Sequence, residues 1–258
     1  MTESWLVTER LACVASDPHG LSVTLAPGAR WGLLGAPGSG KTLWLRTLTH
    51  LQKPAGGHLY WRGLDVTQRA RWRLGALRHF VALITANPAA VAEPWAPVRR
   101  LLPGARDEAR LALERVGLPA AVLERRVEDL SLAQRARLLV GRALALGAQV
   151  LMLDNLAARL WPEAWPEFLA DVDRALGPQG ILWVASHRVE YVQSLAYGAV
   201  VAEGYIVEWG RMDLLRAHPL HPVTQALLAG RQPEALPGLP GAWEPETAEH
   251  WWRPFAKT

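Results

Sequence analysis

Cys13 is the only cysteine in 258 residues. That excludes a disulfide framework and most cysteine-ligated metal centres, and its apolar neighbours predict a buried filler. No uninterrupted apolar run approaches the roughly 20 residues that span a bilayer. The first residues also lack the charged-then-apolar pattern of a secretion signal. The expectation is a cytoplasmic chain that can still dock on a membrane protein. Internal repeats are absent, and so is a strong charge of one sign: Lys plus Arg exceeds Asp plus Glu by 28 − 24 = 4. Arg69, Arg71, Arg73 and Arg78 form a modest basic concentration that reads as a solvated face, so no nucleic-acid partner is expected. The 13 tryptophans are scattered and read as packing residues. With 50% hydrophobic and 20% charged residues, the chain can bury one large core, or one core and a smaller lobe.

What is present is a phosphate-binding loop. Gly35-Ala36-Pro37-Gly38-Ser39-Gly40-Lys41-Thr42 reads G-x-x-x-x-G-K-T, with a strand-like 31–34 before it and a helix-like 42–51 after it. Glycines let backbone N–H groups close around phosphate oxygens. Lys41 is placed to reach the β- and γ-phosphates, and the Thr42 hydroxyl to ligate Mg²⁺. The helix N-terminus adds roughly half a positive charge facing the anion. A Gly-rich turn without a ligand would need neither the lysine nor the threonine. The apolar run 150–153 ends in Asp154, the carboxylate expected to hold Mg²⁺ on the other side of such a site.

Strands are expected at 5–14, 21–25, 31–34, 58–61, 81–85, 150–154, 181–185, 198–202 and 205–207. Several are continuous apolar runs of the kind found in parallel strands covered on both faces. Apolar residues at helical spacing over 107–116 and 131–146 predict helices, the first stopped by Gly117 and Pro119. Short helices are expected at 213–217 and 223–228. The fold class is α/β: a P-loop NTPase core with an antiparallel β subdomain and a helical lobe inserted over roughly 88–130. Residues 1–230 form the expected ATPase domain, and 231–258, rich in Pro and Trp, an extended tail.

Leu130-Ser131-Leu132-Ala133-Gln134, 20 to 24 residues before Asp154, resembles the Leu-Ser-Gly-Gly-Gln signature of the ATP-binding-cassette ATPases. Order and spacing are similar over roughly residues 5–230. The resemblance implies ATP and Mg²⁺ as ligands, and it puts His187 at the position of the family's switch histidine, which contacts the γ-phosphate. A plain histidine at a strand end is the competing reading. Residues 218–228, His-Pro-Leu-His-Pro-Val-Thr-Gln-Ala-Leu-Leu, resemble an element of peptide and nickel importer ATPases, and 236–241 the start of that subfamily's tail. With no cysteine in this tail, no iron–sulfur cluster is expected. His218 and His221 flank prolines in that element and are not read as metal ligands.

The departures from the family pattern carry as much information. Asn155 stands where a glutamate usually polarises the attacking water, and an amide cannot take a proton from it. Ala86 replaces the glutamine that links the γ-phosphate to the membrane subunit. Leu132 and Ala133 replace the signature glycines, although Ser131 and Gln134 remain. That pair is a helix capping box by itself, and by resemblance a γ-phosphate contact; both readings stand. Ala15 occupies the place of the adenine-stacking aromatic, with His19 a weak substitute. Residues 156–160 lack the Ser-x-Leu-Asp motif that crosses the dimer interface.

The resemblance implies an importer subunit for peptides, nickel or a metallophore, held at the cytoplasmic face of the membrane. The implied partners are a second ATPase subunit, which a heterodimer with a fuller chain satisfies best, two transmembrane permease subunits, and a periplasmic or extracellular solute-binding protein reached through the complex. The expected dock is a groove around 86–102, with Trp95, Val98 and Leu101 offering apolar contacts. Turnover at this chain's own site is expected to be impaired. A non-hydrolysing regulatory or structural subunit and a non-transport cassette ATPase are the alternatives.

Overall fold

A computed structural model describes residues 4–17, 19–85, 95–156 and 162–231. Among the described residues, ten strands form two sheets. The smaller, antiparallel sheet has the order β2-β1-β4-β5, from β1 (Leu6–Ala12), β2 (Leu21–Leu25), β4 (Gly56–Trp61) and the two-residue β5 (Leu64–Asp65). The larger sheet has the order β10-β9-β3-β8-β7-β6. Its strands are β3 (Arg30–Leu34), β6 (Val81–Thr85), β7 (Val150–Asp154), β8 (Ile181–Ser186), β9 (Tyr197–Ala202) and β10 (Tyr205–Arg211). All pair in parallel except β10 with β9. The apolar runs are explained by this: every residue of β7 and β8 is buried.

The described residues also form six α-helices: α1 (Lys41–Leu48), α2 (Arg106–Glu114), α3 (Leu132–Ala145), α4 (Trp165–Leu176), α5 (Met212–Ala217) and α6 (Pro222–Leu228). Helix α2 ends as read, with Gly117 at φ 73° and the Leu118 N–H returning to the Leu113 carbonyl at 3.0 Å. Between 95 and 130 the chain is helical and 3-10 turns, the described part of the inserted lobe; 86–94, with Ala86, lie outside the described residues. The tail from 232 onward and most of 156–160 lie outside them too.

Two hydrophobic cores flank the large sheet. One joins it to the lobe through Leu113, Val140, Leu153 and Phe168, and the other joins it to the antiparallel sheet through Leu6, Trp31, Trp44 and Trp183. Trp31 stacks between Trp183 (5.0 Å) and Tyr197 (5.2 Å), rings delivered by three adjacent strands. Cys13 is buried, as expected, and donates to Thr47 Oγ1 at 3.4 Å; burial pushes its thiol up to about 12, so it is inert.

Helix α4 was not read from the sequence; Pro166 sits in its first turn, where a missing N–H costs nothing. Two sequence readings need correction. Not every tryptophan is packed, since Trp72 is 71% and Trp95 56% exposed. Val98 is fully buried in the lobe core and offers no docking contact. Among the described residues no helix is long and apolar enough to cross a membrane.

Candidate functional site

The loop 35–40 leaves β3 at its C-terminal end and enters α1. Gly40 precedes the helix at φ 104°, a conformation only glycine adopts freely. A Cβ there would stand 2.8 Å from Gly204 Cα, and one on Gly35 would stand 2.5 Å from both Ser39 Oγ and the Val201 carbonyl oxygen. Gly38 (φ 79°) faces open space. The loop is therefore close-packed on its inner side and open on the outer. Its inner support is the turn between β9 and β10: the Gly204 N–H donates to the Ser39 carbonyl at 2.8 Å, and Trp44 Nε1 donates to the Gly204 carbonyl at 2.8 Å. Sequence reading passed over Gly204, because nothing local ties it to a loop more than 160 residues earlier.

Lys41 is buried, with Nζ donating to the carbonyls of Gly35 (2.6 Å) and Ala36 (2.7 Å). Burial lowers its ammonium to about 8, and the nearby Asp154 charge opposes the shift. Thr42 Oγ1 donates to Asp154 Oδ2 at 2.8 Å, across 112 residues of chain. The other carboxylate oxygen, Asp154 Oδ1, is buried without a hydrogen-bond partner. Burial raises the Asp154 carboxyl above its ordinary range, opposed by the Thr42 hydroxyl and the charges of Lys41 and Arg46. An orphaned buried carboxylate oxygen beside a hydroxyl is a costly arrangement for a protein alone. It is the oxygen donor set of a hard divalent cation, so the residues fit Mg²⁺.

At the end of β8, His187 Nδ1 lies 3.3 Å from Asn155 Oδ1. Asn155 holds φ 54°, tolerable for asparagine, and its N–H donates to the Ala185 carbonyl at 3.1 Å, fixing it between β7 and β8. An amide can meet the imidazole with its oxygen or its N–H, which a carboxylate cannot. His187 is held below its ordinary value first by burial, then by Lys41 and Arg188, with Glu190 opposing, so it is neutral at pH 7. The β3, β7 and β8 termini thus bring Lys41, Thr42, Asp154, Asn155 and His187 to one end of the sheet.

Ser131 and Gln134 do not join that cluster through any hydrogen bond among the described residues. They form the reciprocal capping box of α3, with the Gln134 N–H donating to Ser131 Oγ (3.2 Å) and the Ser131 N–H to Gln134 Oε1 (3.0 Å). Leu132 beside them is 44% exposed. His19 and Ala15 are exposed, and neither supplies a packed aromatic face. His221 accepts the Val223 N–H at Nδ1 (3.1 Å), the N-cap of α6, while Glu208 accepts the N–H groups of Leu220 and His221 at 3.0 Å each. That histidine is structural.

Residues 18–158 match the family model described as ABC transporter. Among curated proteins, the methionine import ATP-binding protein MetN of Cereibacter sphaeroides is 33% identical over 233 residues, 84% of this chain and 65% of that protein. The glutathione import ATP-binding protein GsiA of Escherichia coli is 32% identical over 225 residues, 81% of this chain and 36% of that protein. The chain thus spans just under two thirds of the former and about a third of the latter. Among solved structures, cbiO1 from Clostridium perfringens, part of the ABC transporter complex cbiONQ, superposes with a TM-score of 0.72 at 21% identity, covering 84% of this chain and 92% of that one. The ADP conformation of MJ1267, an ATP-binding cassette of an ABC transporter, superposes at 0.73 with 19% identity, covering 88% and 99%. At these identities the superpositions speak for the fold.

Proposed function

This chain belongs to the ABC transporter family, and on that premise we propose that it is the ATP-binding subunit of an importer, working at the cytoplasmic face of the membrane. The observation that carries the reading is the Thr42–Asp154 hydrogen bond of 2.8 Å beside the orphaned Asp154 Oδ1, one helix position from Lys41. Lys41 exchanges its two loop carbonyls for the β- and γ-phosphate oxygens of ATP, and the N–H groups of 38–42 complete the cradle. Thr42 and Asp154 hold Mg²⁺, which when bound neutralises the charge on those oxygens. His187 donates or accepts one hydrogen bond at the γ-phosphate. Asn155 orients water without accepting its proton, which removes general-base help worth about 10²–10⁴ in rate. Hydrolysis at this chain's own site is therefore slow.

The sequence expectation of peptide, nickel or metallophore cargo narrows under the relatives. Their names, methionine and glutathione import, support an amino-acid-like or peptide-like solute, and neither speaks for nickel. The ATPase unit is taken as residues 1–230 with the lobe at roughly 88–130, and 231–258 as its tail. With Asn155 on one side of the site and Leu132 and Ala133 in the signature segment, a homodimer would have two poor sites. Pairing with a second, fuller ATPase subunit, beneath two permease subunits served by a solute-binding protein, suits the chain better. Trp95 and Leu101 remain the docking contacts toward the permeases, now without Val98. Ser131 and Gln134 keep their capping role and present the start of α3 to the partner's nucleotide.

The test is to measure Mg-ATP binding and turnover separately, for the chain alone and with the products of neighbouring genes. We expect binding that Lys41→Ala abolishes, little turnover alone, and co-purification with a second cassette chain. Robust lone turnover that depends on Lys41 would sink the impaired-site reading. A stable homodimer that supports transport unaided would sink the heterodimer. Exposed Leu132 and amide Asn155 favour a second reading, a non-hydrolysing regulatory subunit, and ATP binding without turnover in the full complex would select it.

A further inference from the structure

Beyond the nucleotide site, at the opposite end of the large sheet, one surface has a use that the ATPase chemistry does not absorb. Two 3-10 turns, Arg71–His79, joined at Gly75 (φ 55°), lead into the first residue of β6. They pack on the C-terminal end of α1: Arg71 donates to the Thr49 carbonyl and to the Arg78 carbonyl (3.0 Å), and His50 Nε2 meets the Arg69 carbonyl at 2.6 Å. The segment so anchored carries Arg69, Arg73 and Arg78, all exposed. Trp72, between Arg71 and Arg73 in the chain, is 71% exposed, with the Arg73 guanidinium 4.9 Å from its ring centroid.

The charges are not balanced within the chain. Among the described residues no carboxylate lies within ion-pair distance of Arg69, Arg71, Arg73 or Arg78. Asp65, whose carbonyl takes the Arg69 Nε–H, spends its carboxylate on His58 and Thr67. Arg71, half-buried, is held below its ordinary value by burial first and by Arg78 second, so like charges are crowded here. A solvated face explains the arginines but not a large apolar ring standing in their midst.

We infer that the face built by Arg69, Trp72, Arg73 and Arg78 binds the anionic headgroups of a lipid bilayer, the tryptophan seating at the interface between headgroup and acyl chain. Complementary charge draws the surface to acidic lipid, and an indole with a polar N–H on an apolar body is the side chain best suited to that depth. Shape favours a bilayer over an acidic peptide: Trp72 is a protrusion, which enters a soft layer, whereas a peptide's anchor needs a groove to receive it. The face lies away from Lys41 and Asp154, so lipid contact and nucleotide binding are compatible.

Vesicle co-sedimentation of the full chain tests this, with phosphatidylglycerol mixed into phosphatidylcholine against phosphatidylcholine alone. Binding is expected only with phosphatidylglycerol, and it should weaken as salt rises. The double variant Arg73→Gln/Arg78→Gln should lose about thirty-fold in partitioning, Trp72→Ser should lose at least several-fold, and Arg73→Lys/Arg78→Lys should retain most of it. Unchanged circular dichroism and melting would establish that the variants fold, and neither Arg73 nor Arg78 makes a tertiary contact whose loss should unfold them. No binding to acidic vesicles, equal binding to neutral ones, or binding indifferent to all three variants overturns the inference. So does capture of the same face by an RNA oligomer at physiological salt when vesicles fail.

Discussion

Raising the pH from 7 to 9 will weaken ATP binding about tenfold, because Lys41 is charged in the complex but loses its proton easily in the free protein. Its ammonium is lowered from 10.5 to about 8, burial being the main cause. Phosphate oxygens beside Nζ favour the charged form, so only the protonated fraction is competent to bind, and apparent affinity scales with that fraction. At pH 7 it is about nine-tenths and at pH 9 about one-tenth, so the ratio of apparent dissociation constants is about 10. The terminal phosphate itself titrates near pH 6, below this window. Calorimetric titration at pH 7, 8 and 9, in two buffers of different ionisation enthalpy, should show proton uptake growing from about 0.1 to about 0.9 per ATP. The sign for stability runs the other way. With the folded value below the unfolded one, the unfolded chain binds more protons between pH 8 and 10.5, so the ligand-free protein gains about 3 kcal/mol of stability across that window. A dissociation constant flat from pH 7 to 9, with no proton uptake, would refute the reasoning, since it would mean that Lys41 keeps its charge in the free loop.

Two further outcomes follow from other parts of the fold. Asn155→Glu alone should raise ATPase turnover of the assembled complex only slightly, whereas adding Ala86→Gln and glycine at Leu132 and Ala133 should gain more than additively, since all act on one transition state; family-like rates from the single change would show the others to be tolerated substitutions. His221 is held below its ordinary value by burial, opposed by Glu208, and caps α6 through an unprotonated Nδ1; its contribution is present above about pH 6.5 and lost as pH falls through its lower folded value. His221→Asn, which keeps a short capping acceptor, should flatten that acid slope in urea melts, while His221→Ala should cost about 1 kcal/mol at pH 7.

The sequence by itself determined the elements whose cause is local. The phosphate loop was legible because G-x-x-x-x-G-K-T has few other uses, β7 and β8 because burial on both faces demands unbroken apolar runs, and the start of α3 because Ser131 and Gln134 satisfy each other's N–H groups within four residues. The two-residue β5 was illegible because its support is pairing with β4, and the 3-10 turns around Gly75 because the Arg71 guanidinium ties them to the distant Thr49 carbonyl. Only the tertiary structure decided what depends on sheet order. With β8 lying between β3 and β7, the Thr42 hydroxyl reaches Asp154, and Asn155 meets His187. The same order brings Gly204 beneath Ser39 and stacks Trp31 between Trp183 and Tyr197. Those pairs are set by strand register over separations of more than 30 residues. A chain's local preferences fix which segments become strands, but only packing the segments against one another fixes which strand ends share a site.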